Sequence, residues 1–428
     1  MVKPAPTVLF FGYYDDFAYF FAKVTHVLTA NHPGLNAIFA TGFVSGWWAW
    51  RNHAKGHSAV LLSFKVLWMS LWYRVKFWRH IPVSAFRGYP PKYLLAYDFH
   101  KTGEYRHIHT VLARICVFDK LFEKARPDYL VLSGDARVSS RICIVAARKY
   151  GCKIGFFEQG PFGTSYLDAH GVNANLTVPD LAQGQSNVPM PQRPVHKAIP
   201  ERRLPFYRLA DYVMSIIPGW PREYRSAFPW ARLLKRKTPG ATLAHPKAPY
   251  FLFALQVPED ANFIMHTDFA NFTAALRVAA AALPSGTYLA VREHPKFKAT
   301  YEPALYAFVE AHPQLYLQQG ISGGDAISAC QGLITLNSMM GIEALLYQKP
   351  VFVMGQSYYE TVCTQADQHH HNFVAMTQFM AGPTQHKSEY AAWFLSQFFD
   401  QTAIQGHFRD SGVQAAVTFA EKISKSIW

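Results

Sequence analysis

Negative charge is what this sequence has least of. It carries 28 Asp and Glu against 42 Lys and Arg, a formal net charge of +14. An excess of that size points to an anionic partner: nucleic acid, a phosphorylated small molecule or an acidic membrane leaflet. Cysteine is scarce as well. Cys116, Cys143, Cys152, Cys330 and Cys363 form no CxxC pair and have no metal-ligand spacing. They read as reduced structural thiols of a cytoplasmic protein. No apolar run reaches the roughly 18 residues of a membrane-spanning helix. The N-terminal MVKPAPTVLFFGYYDDF has one Lys, an apolar run cut by Asp15-Asp16 and no small-residue cleavage site, so it reads as a first strand and not a signal peptide. There is no internal repeat. The tract His369-His370-His371 lacks the spacing of a tetrahedral site, and no metal is expected.

What is present is a large apolar content. Half of the 428 residues are hydrophobic and 16% are charged, enough for two cores of ordinary size. Aromatics reach 15%, with 10 Trp and 23 Tyr, which favours a membrane surface over nucleic acid as the anionic partner. Between Gly46 and His80, Trp47, Trp48, Trp50, Trp68, Trp72 and Trp78 interleave with Arg51, Lys55, Lys65, Arg74, Lys76 and Arg79. A basic, Trp-rich amphipathic helix fits a membrane interface; a core helix with tryptophans packed on a sheet is the other reading.

The chain alternates apolar strand runs with helical periodicity, the pattern of parallel α/β units. Thr7–Gly12, Ala37–Gly42, Pro127–Ser133 and Cys152–Phe157 read as strands. Asp15–Ala30, Asp98–Lys124 and Ser139–Tyr150 read as helices. Tyr166–Asn175 reads as an ordered loop, Thr177–Leu204 as an irregular excursion, Leu204–Ile217 as a helix and Pro218–Lys247 as containing the interdomain linker. Strands at Tyr250–Leu255, Tyr288–Val291, Leu315–Leu317, Gly332–Leu336 and Val351–Met354 alternate with helices and build the second unit. The expected domains are 1–240, 241–400 and a terminal helical segment 401–428 that packs back on the first. The fold class is α/β, two Rossmann-like domains with parallel sheets.

In such sheets ligands sit at the carboxyl ends of strands. In the second domain those ends carry Gln256 with Asp260, then Arg292, His294 and Lys296, then Asn337, Ser338 and Gly341 with Glu343 one turn further on. A carboxylate, several cations and a helix start suit expulsion of a phosphate leaving group from an electrophilic carbon. In the first domain the corresponding ends carry Asp135, Arg137, Glu158 and Gln159, with Asn173 in the following loop. Each has a structural alternative. Asp260 and Ser338 suit helix N-caps, His294 a capped strand end, and Glu158 an ion pair with Arg137 or Arg141. Two α/β domains facing a central cleft resemble the GT-B glycosyltransferase plan.

The runs GDARVSSRICIVAARKYGCKIGFFEQG and LDAHGVNAN, then QVPEDAN, REHPK and TLNSMMGIEALLYQKPVFVMG, resemble the bacterial capsule polysaccharide synthesis family, KpsS/KpsC-like retaining β-Kdo glycosyltransferases. The similarity runs from about Asp128 to Gly355 in the same order and is closer to the KpsS type. It implies transfer of Kdo from CMP-Kdo to phosphatidylglycerol or a Kdo-lipid at the inner leaflet, by a peripheral cytoplasmic enzyme working beside other capsule proteins, without cofactor, metal or nucleic acid. The resemblance makes Asp260 the nucleophile and sets His294, Arg292 and Lys296 on the donor phosphate. It gives Asn337, Ser338 and Glu343 the nucleotide phosphate and ribose, and Glu158 the reacting sugar or acceptor hydroxyl. The chain departs from the KpsS type on the acceptor side, with Glu158-Gln159-Gly160-Pro161-Phe162-Gly163-Thr164 where Glu-Glu-Gly-Tyr-x-Arg-Pro is usual. Two other readings stay open: the same fold using another nucleotide sugar in capsule or O-antigen synthesis, and a non-catalytic lipid-binding subunit of the export complex.

Overall fold

The structure, a computed structural model, describes residues 5–104, 107–186, 188–192, 205–225, 242–243, 249–295, 297–365, 373–384, 388–404 and 413–428. They form two compact units. The first draws its described residues from Met1–Val172, Pro194–Pro229 and Thr402–Trp428, the second from Asn173–Arg193 and Trp230–Gln401.

The first unit begins with strand β1 (Thr7–Phe11), helix α1 (Asp15–Asn31), β2 (Asn36–Thr41), α2 (Val44–His53), β3 (Ser58–Leu61) and α3 (Ser63–Lys76). It continues through α4 (Pro91–Thr102), α5 (Ile108–Ala125), β4 (Tyr129–Ser133), α6 (Val138–Lys149), β5 (Lys153–Gln159), β6 (Ser165–Asp168) and α7 (Pro205–Ser215). The second unit holds β7 (Thr242–Leu243), β8 (Tyr250–Ala254), α8 (Ala261–His266), α9 (Phe272–Ala281), β9 (Tyr288–Arg292), α10 (Pro303–Ala311) and β10 (Leu315–Gln318). Its remainder is α11 (Gly323–Ala329), β11 (Leu333–Thr335), α12 (Met340–Leu346), β12 (Val351–Val353), β13 (Thr364–Gln365), α13 (Phe373–Ala381) and α14 (Ser388–Gln397). The last strand, β14 (Ala403–Ile404), and α15 (Gln414–Ile427) belong to the first unit.

The first sheet runs β14-β6-β5-β4-β1-β2-β3. β3 to β5 are parallel, while β6 and β14 add antiparallel edges. The second runs β13-β12-β11-β8-β9-β10-β7 with every pairing parallel. Parallel strands are covered on both faces, which is why β1, β4 and β8 are unbroken apolar runs rather than alternating ones. Strand order reverses between β1 and β4 in one sheet and between β8 and β11 in the other. Those two points are where a doubly wound unit opens a crevice.

The first core gathers Phe10, Phe21, Phe39, Trp50 and Phe157 with Phe419 of α15. Trp50 stacks on Phe39 at 5.2 Å, and Phe419 meets Phe20 and Phe157 edge-on at 5.3 and 5.2 Å. The second is built on Phe251, Phe253, Leu289, Val291, Ile334 and Phe352.

Several sequence expectations give way. Gly46–His80 is not one helix: α2 is followed by edge strand β3 and then α3, with Gly56 at φ 87° turning the chain between them. Trp50 lies in the core while Trp68, Trp72 and Trp78 are exposed. Asp98–Lys124 is split into α4 and α5 because Gly103 (φ 73°) and His107 (φ 58°) adopt left-handed backbone that no helix continues through. Tyr166–Asn175 is partly strand: β6 pairs Glu158 with Tyr166 and Phe156 with Asp168. Pro218–Lys247 is not simply linker, since Trp220 and Tyr224 are buried in the first unit. His369-His370-His371 and Lys296 lie outside the described residues.

Candidate active site

In the second unit the β8–β11 crevice is stitched together by side-chain amides. Gln256, just past β8, donates from Nε2 to Asn337 Oδ1 at 2.7 Å, and its Oε1 accepts the Asn337 N–H at 3.3 Å. Asn337, just past β11, donates from Nδ2 to the carbonyls of Asn262 at 2.9 Å and His266 at 3.4 Å. Asn262 returns the bond to the Asn337 carbonyl at 2.9 Å. Asn337 and Gln256 are buried, so both act as cross-ties of the crevice floor.

The tip of β9 is fixed to the same floor by Tyr301. Its hydroxyl donates to the Gln256 carbonyl at 3.0 Å and accepts the His294 N–H at 3.0 Å. Burial raises this hydroxyl well above its ordinary pKa, so it remains a donor throughout. Glu293 is buried beside them, with Oε1 accepting from Ala299 N–H at 2.8 Å and Tyr306 Oη at 2.6 Å. It fixes the loop that follows His294. Arg292 donates to Gln318 Oε1 at 3.3 Å and to the Ile321 carbonyl at 3.2 Å. Burial lowers its pKa and Glu343 pulls it back up. An arginine guanidinium keeps its charge in a protein. Asp260 caps α8, accepting the Asn262 N–H at 3.0 Å, which is the capping expectation and leaves the carboxylate at the mouth of the same loop.

Ser338 is not the N-cap of α12, a place Met339 takes, although Ser338 Oγ accepts the Met340 N–H at 3.3 Å. Gly341 is there for clearance: a Cβ on it would lie 2.5 Å from the ring of Tyr359, whose hydroxyl donates to the Ser338 carbonyl. Glu343 stands one turn on, partly exposed. The second unit thus brings Gln256, Asp260, Arg292, His294, Asn337, Ser338, Gly341 and Glu343 to one sheet edge. Tyr301 and Tyr359, which hold that edge, gave no signal, being single residues without a motif of their own, and Glu293 stood in REHPK with no role read for it.

In the first unit Asp135 is buried and accepts the Val172 N–H at 3.2 Å. Arg137 is exposed with its guanidinium 5.9 Å from the Tyr97 ring. Glu158 and Gln159 lie within β5, and Glu158 Oε1 accepts the Gln159 N–H at 2.9 Å. Arg141 turns to the Tyr93 carbonyl and ring. Asn173, at φ 55°, belongs with the second unit. A buried network went unread: Glu223 binds Arg114 at 2.8 Å and accepts Ser139 N–H at 3.3 Å and Ser139 Oγ at 3.1 Å, at the start of α6.

Both units are doubly wound α/β sheets, and the second carries a cross-tied crevice of polar and cationic groups at its switch point. The chain belongs to the capsule polysaccharide biosynthesis protein family, whose model matches residues 128–409. It is 29% identical over 223 residues to Protein FixF of Sinorhizobium fredii, covering 50% of this chain and 46% of FixF. It is 23% identical over 329 residues to the capsule polysaccharide modification protein LipB of Neisseria meningitidis serogroup A, covering 65% and 74%. Against the capsule polysaccharide export protein KpsS of Escherichia coli it is 22% identical over 283 residues, covering 58% and 72%. Among solved structures, Thermosulfurimonas dismutans KpsC, a β-Kdo 2,7 transferase, aligns with 61% of this chain and 80% of its own at 15% identity and a TM-score of 0.34.

Proposed function

We propose that the chain is a retaining glycosyltransferase that moves Kdo from CMP-Kdo to phosphatidylglycerol or a short Kdo-lipid during capsule linker synthesis, acting peripherally at the inner leaflet beside other capsule proteins. One observation carries the reading: Asp260, Arg292, His294 and Ser338 edge a crevice whose floor is locked by the Gln256–Asn337 and Tyr301 hydrogen bonds. A locked frame suits a reaction in which positioning and electrostatic stabilisation lower the barrier.

In the first step the Asp260 carboxylate attacks the anomeric carbon of Kdo. The bond from that carbon to the CMP phosphate oxygen breaks, and Arg292 and His294 stabilise the charge gathering on the phosphate. In the second, the acceptor hydroxyl attacks the same carbon, the bond to Asp260 breaks and frees its carboxylate, and the hydroxyl proton passes to solvent. Two inversions give net retention. Asn337 and Gln256 act by positioning, and Asp135, Arg137 and Gln159 take the acceptor side.

The test is intact-protein mass spectrometry after incubation with freshly generated CMP-Kdo, on wild type and Asp260→Asn, with CMP release followed in parallel. The wild type should gain one Kdo on the peptide holding Asp260 or release CMP on adding acceptor, and the variant should do neither. No adduct and no CMP release from the wild type, with or without phosphatidylglycerol, would move the donor assignment to another nucleotide sugar. An Asp260→Asn protein as active as wild type would remove the nucleophile.

A further inference from the structure

Helix α7 is amphipathic the wrong way round for a surface helix of a soluble domain. Its polar residues face the protein. Asp211, 2% exposed, accepts the Ser45 N–H at 3.1 Å at the start of α2. Arg208 lies over the Tyr14 ring at 3.6 Å, and the Tyr207 hydroxyl accepts from Asn52 Nδ2 at 2.8 Å. Its apolar residues Phe206, Leu209 and Val213 are exposed, as is Ile216 just past its end, at 80%. Helix α3 buries Val66, Leu67 and Tyr73 beside Ser63 and Ser70, yet its outer face still exposes Trp68 (70%), Trp72 and Val75 among Lys65, Arg74 and Lys76. The two helices are linked through the chain leaving α7, which brings Trp220 edge-on to Phe64 of α3 at 5.1 Å.

We propose that the outer faces of α3 and α7 form one docking surface for an anionic lipid bilayer, on which the first unit lies without crossing it. Charge decides the occupant. From Phe17 to Tyr97 the sequence has no acidic residue. Lys76 sits over the Trp72 ring at 4.6 Å and Arg79 over the Trp78 ring at 4.4 Å, so cations flank indoles as at a headgroup layer. A second copy of so basic a face would meet like charge, and nucleic acid has no use for the apolar stripe. No helix among the described residues is long and apolar enough to cross a membrane. Residues 17–97 precede the 128–409 family match, so α3 carries this independently of the family. The inference rests on the peripheral-membrane reading above and names the surface responsible.

The test is flotation of the full chain with phosphatidylserine–phosphatidylcholine vesicles and with pure phosphatidylcholine, so that recognition of phosphatidylglycerol as acceptor plays no part. The wild type should float with the anionic vesicles, less so as salt rises, with a blue shift of Trp fluorescence. Trp68→Ser/Trp72→Ser and Leu209→Ser/Val213→Ser should each weaken binding on the order of tenfold or more, with unfolding temperature unchanged because the side chains are exposed. Asp260→Asn should float as wild type does, which separates failure of this inference from failure of the transfer reaction. A wild type that stays with the soluble fraction, or surface variants that float like wild type, would overturn the proposal. So would a wild-type dimer in sedimentation that the same variants abolish, since a second copy would then cover the face.

Discussion

Gly341→Ala separates the two accounts of a glycine beside a nucleotide crevice. By helix propensity alone the change should stabilise α12 by about 1 kcal/mol. The geometry says the opposite. The added Cβ would sit 2.5 Å from Cε2, Cζ and Oη of Tyr359, a fully buried ring held against Tyr358 at 5.2 Å and bonded to the Ser338 carbonyl. A ring so enclosed has nowhere to swing, and overpacking of this kind costs about 1–3 kcal/mol. Displacing the Tyr359 hydroxyl forfeits a further ~1 kcal/mol. The clash outweighs the propensity gain, leaving a net loss of about 1–3 kcal/mol, or ~2–10 °C in the midpoint for a unit of this size. Differential scanning calorimetry of the Gly341→Ala, Tyr359→Ala and double variants measures it. In the Tyr359→Ala background the cost of Gly341→Ala should vanish, because nothing is left to strike. A Gly341→Ala protein as stable as wild type, or a penalty unchanged without the ring, would refute the clearance argument and return Gly341 to direct ligand contact.

Glu223→Gln should destabilise the protein by about 3–5 kcal/mol in urea unfolding, because it strands the buried Arg114 guanidinium, and Arg114→Met in the same background should recover part of the loss. Asn337→Ala should lower stability by about 1–3 kcal/mol for each buried partner it abandons, Gln256 Nε2 first, read as a lower urea midpoint at constant m, and weaken CMP binding as the crevice floor loosens. Burial, with His26 nearby, lowers the pKa of His57, whose Nδ1 accepts the Ala37 N–H at 3.3 Å. A histidine depressed in the folded state stabilises fully above its unfolded value of 6.5 and loses that contribution as pH falls through the folded one. Between about pH 7 and pH 5 the wild-type unfolding temperature should therefore fall further than that of His57→Asn, whose amide oxygen accepts the same bond without titrating.

The parallel sheets were legible because strands buried on both faces must be continuously apolar, and runs such as YLVLS and YFLFA have no other use. The crevice of the second unit was legible for a related reason, since its polar residues stand directly after those runs. What sequence could not tell was which polar residues face a ligand and which face each other. Asn337 and Gln256 look like contacts in a motif and are cross-ties in space, 81 positions apart. The tryptophans of Gly46–His80 look alike in sequence, yet Trp50 stacks in the core and Trp68 stands in solvent, because the Gly56 turn and strand β3 interrupt the helical phase. Helix α7 shows its outward apolar stripe only once Ser45, Tyr14 and Asn52 are seen to claim its polar side. Glu223 lay in a stretch that reads as linker, and only the fold returns it to α6.

That last residue bears on where a nucleotide phosphate can sit. Each unit has a switch point, and each switch point offers backbone N–H groups to an anion. In the first unit the offer is already taken. The Glu223 carboxylate accepts the Ser139 N–H at the first turn of α6, Arg114 neutralises it, and the Tyr224 ring covers Gly42 so closely that a Cβ there would lie 2.2 Å from it. An incoming phosphate would have to displace this ion-paired carboxylate from the Ser139 N–H, which would strand two buried charges. In the second unit the crevice floor is neutral amide, with the Asp260 carboxylate capping α8 at its edge; Arg292 donates to Gln318 Oε1 and the Ile321 carbonyl and feels the charge of Glu343. The Glu223 carboxylate on the Ser139 N–H supports the proposed division, with nucleotide on the second unit and acceptor on the first.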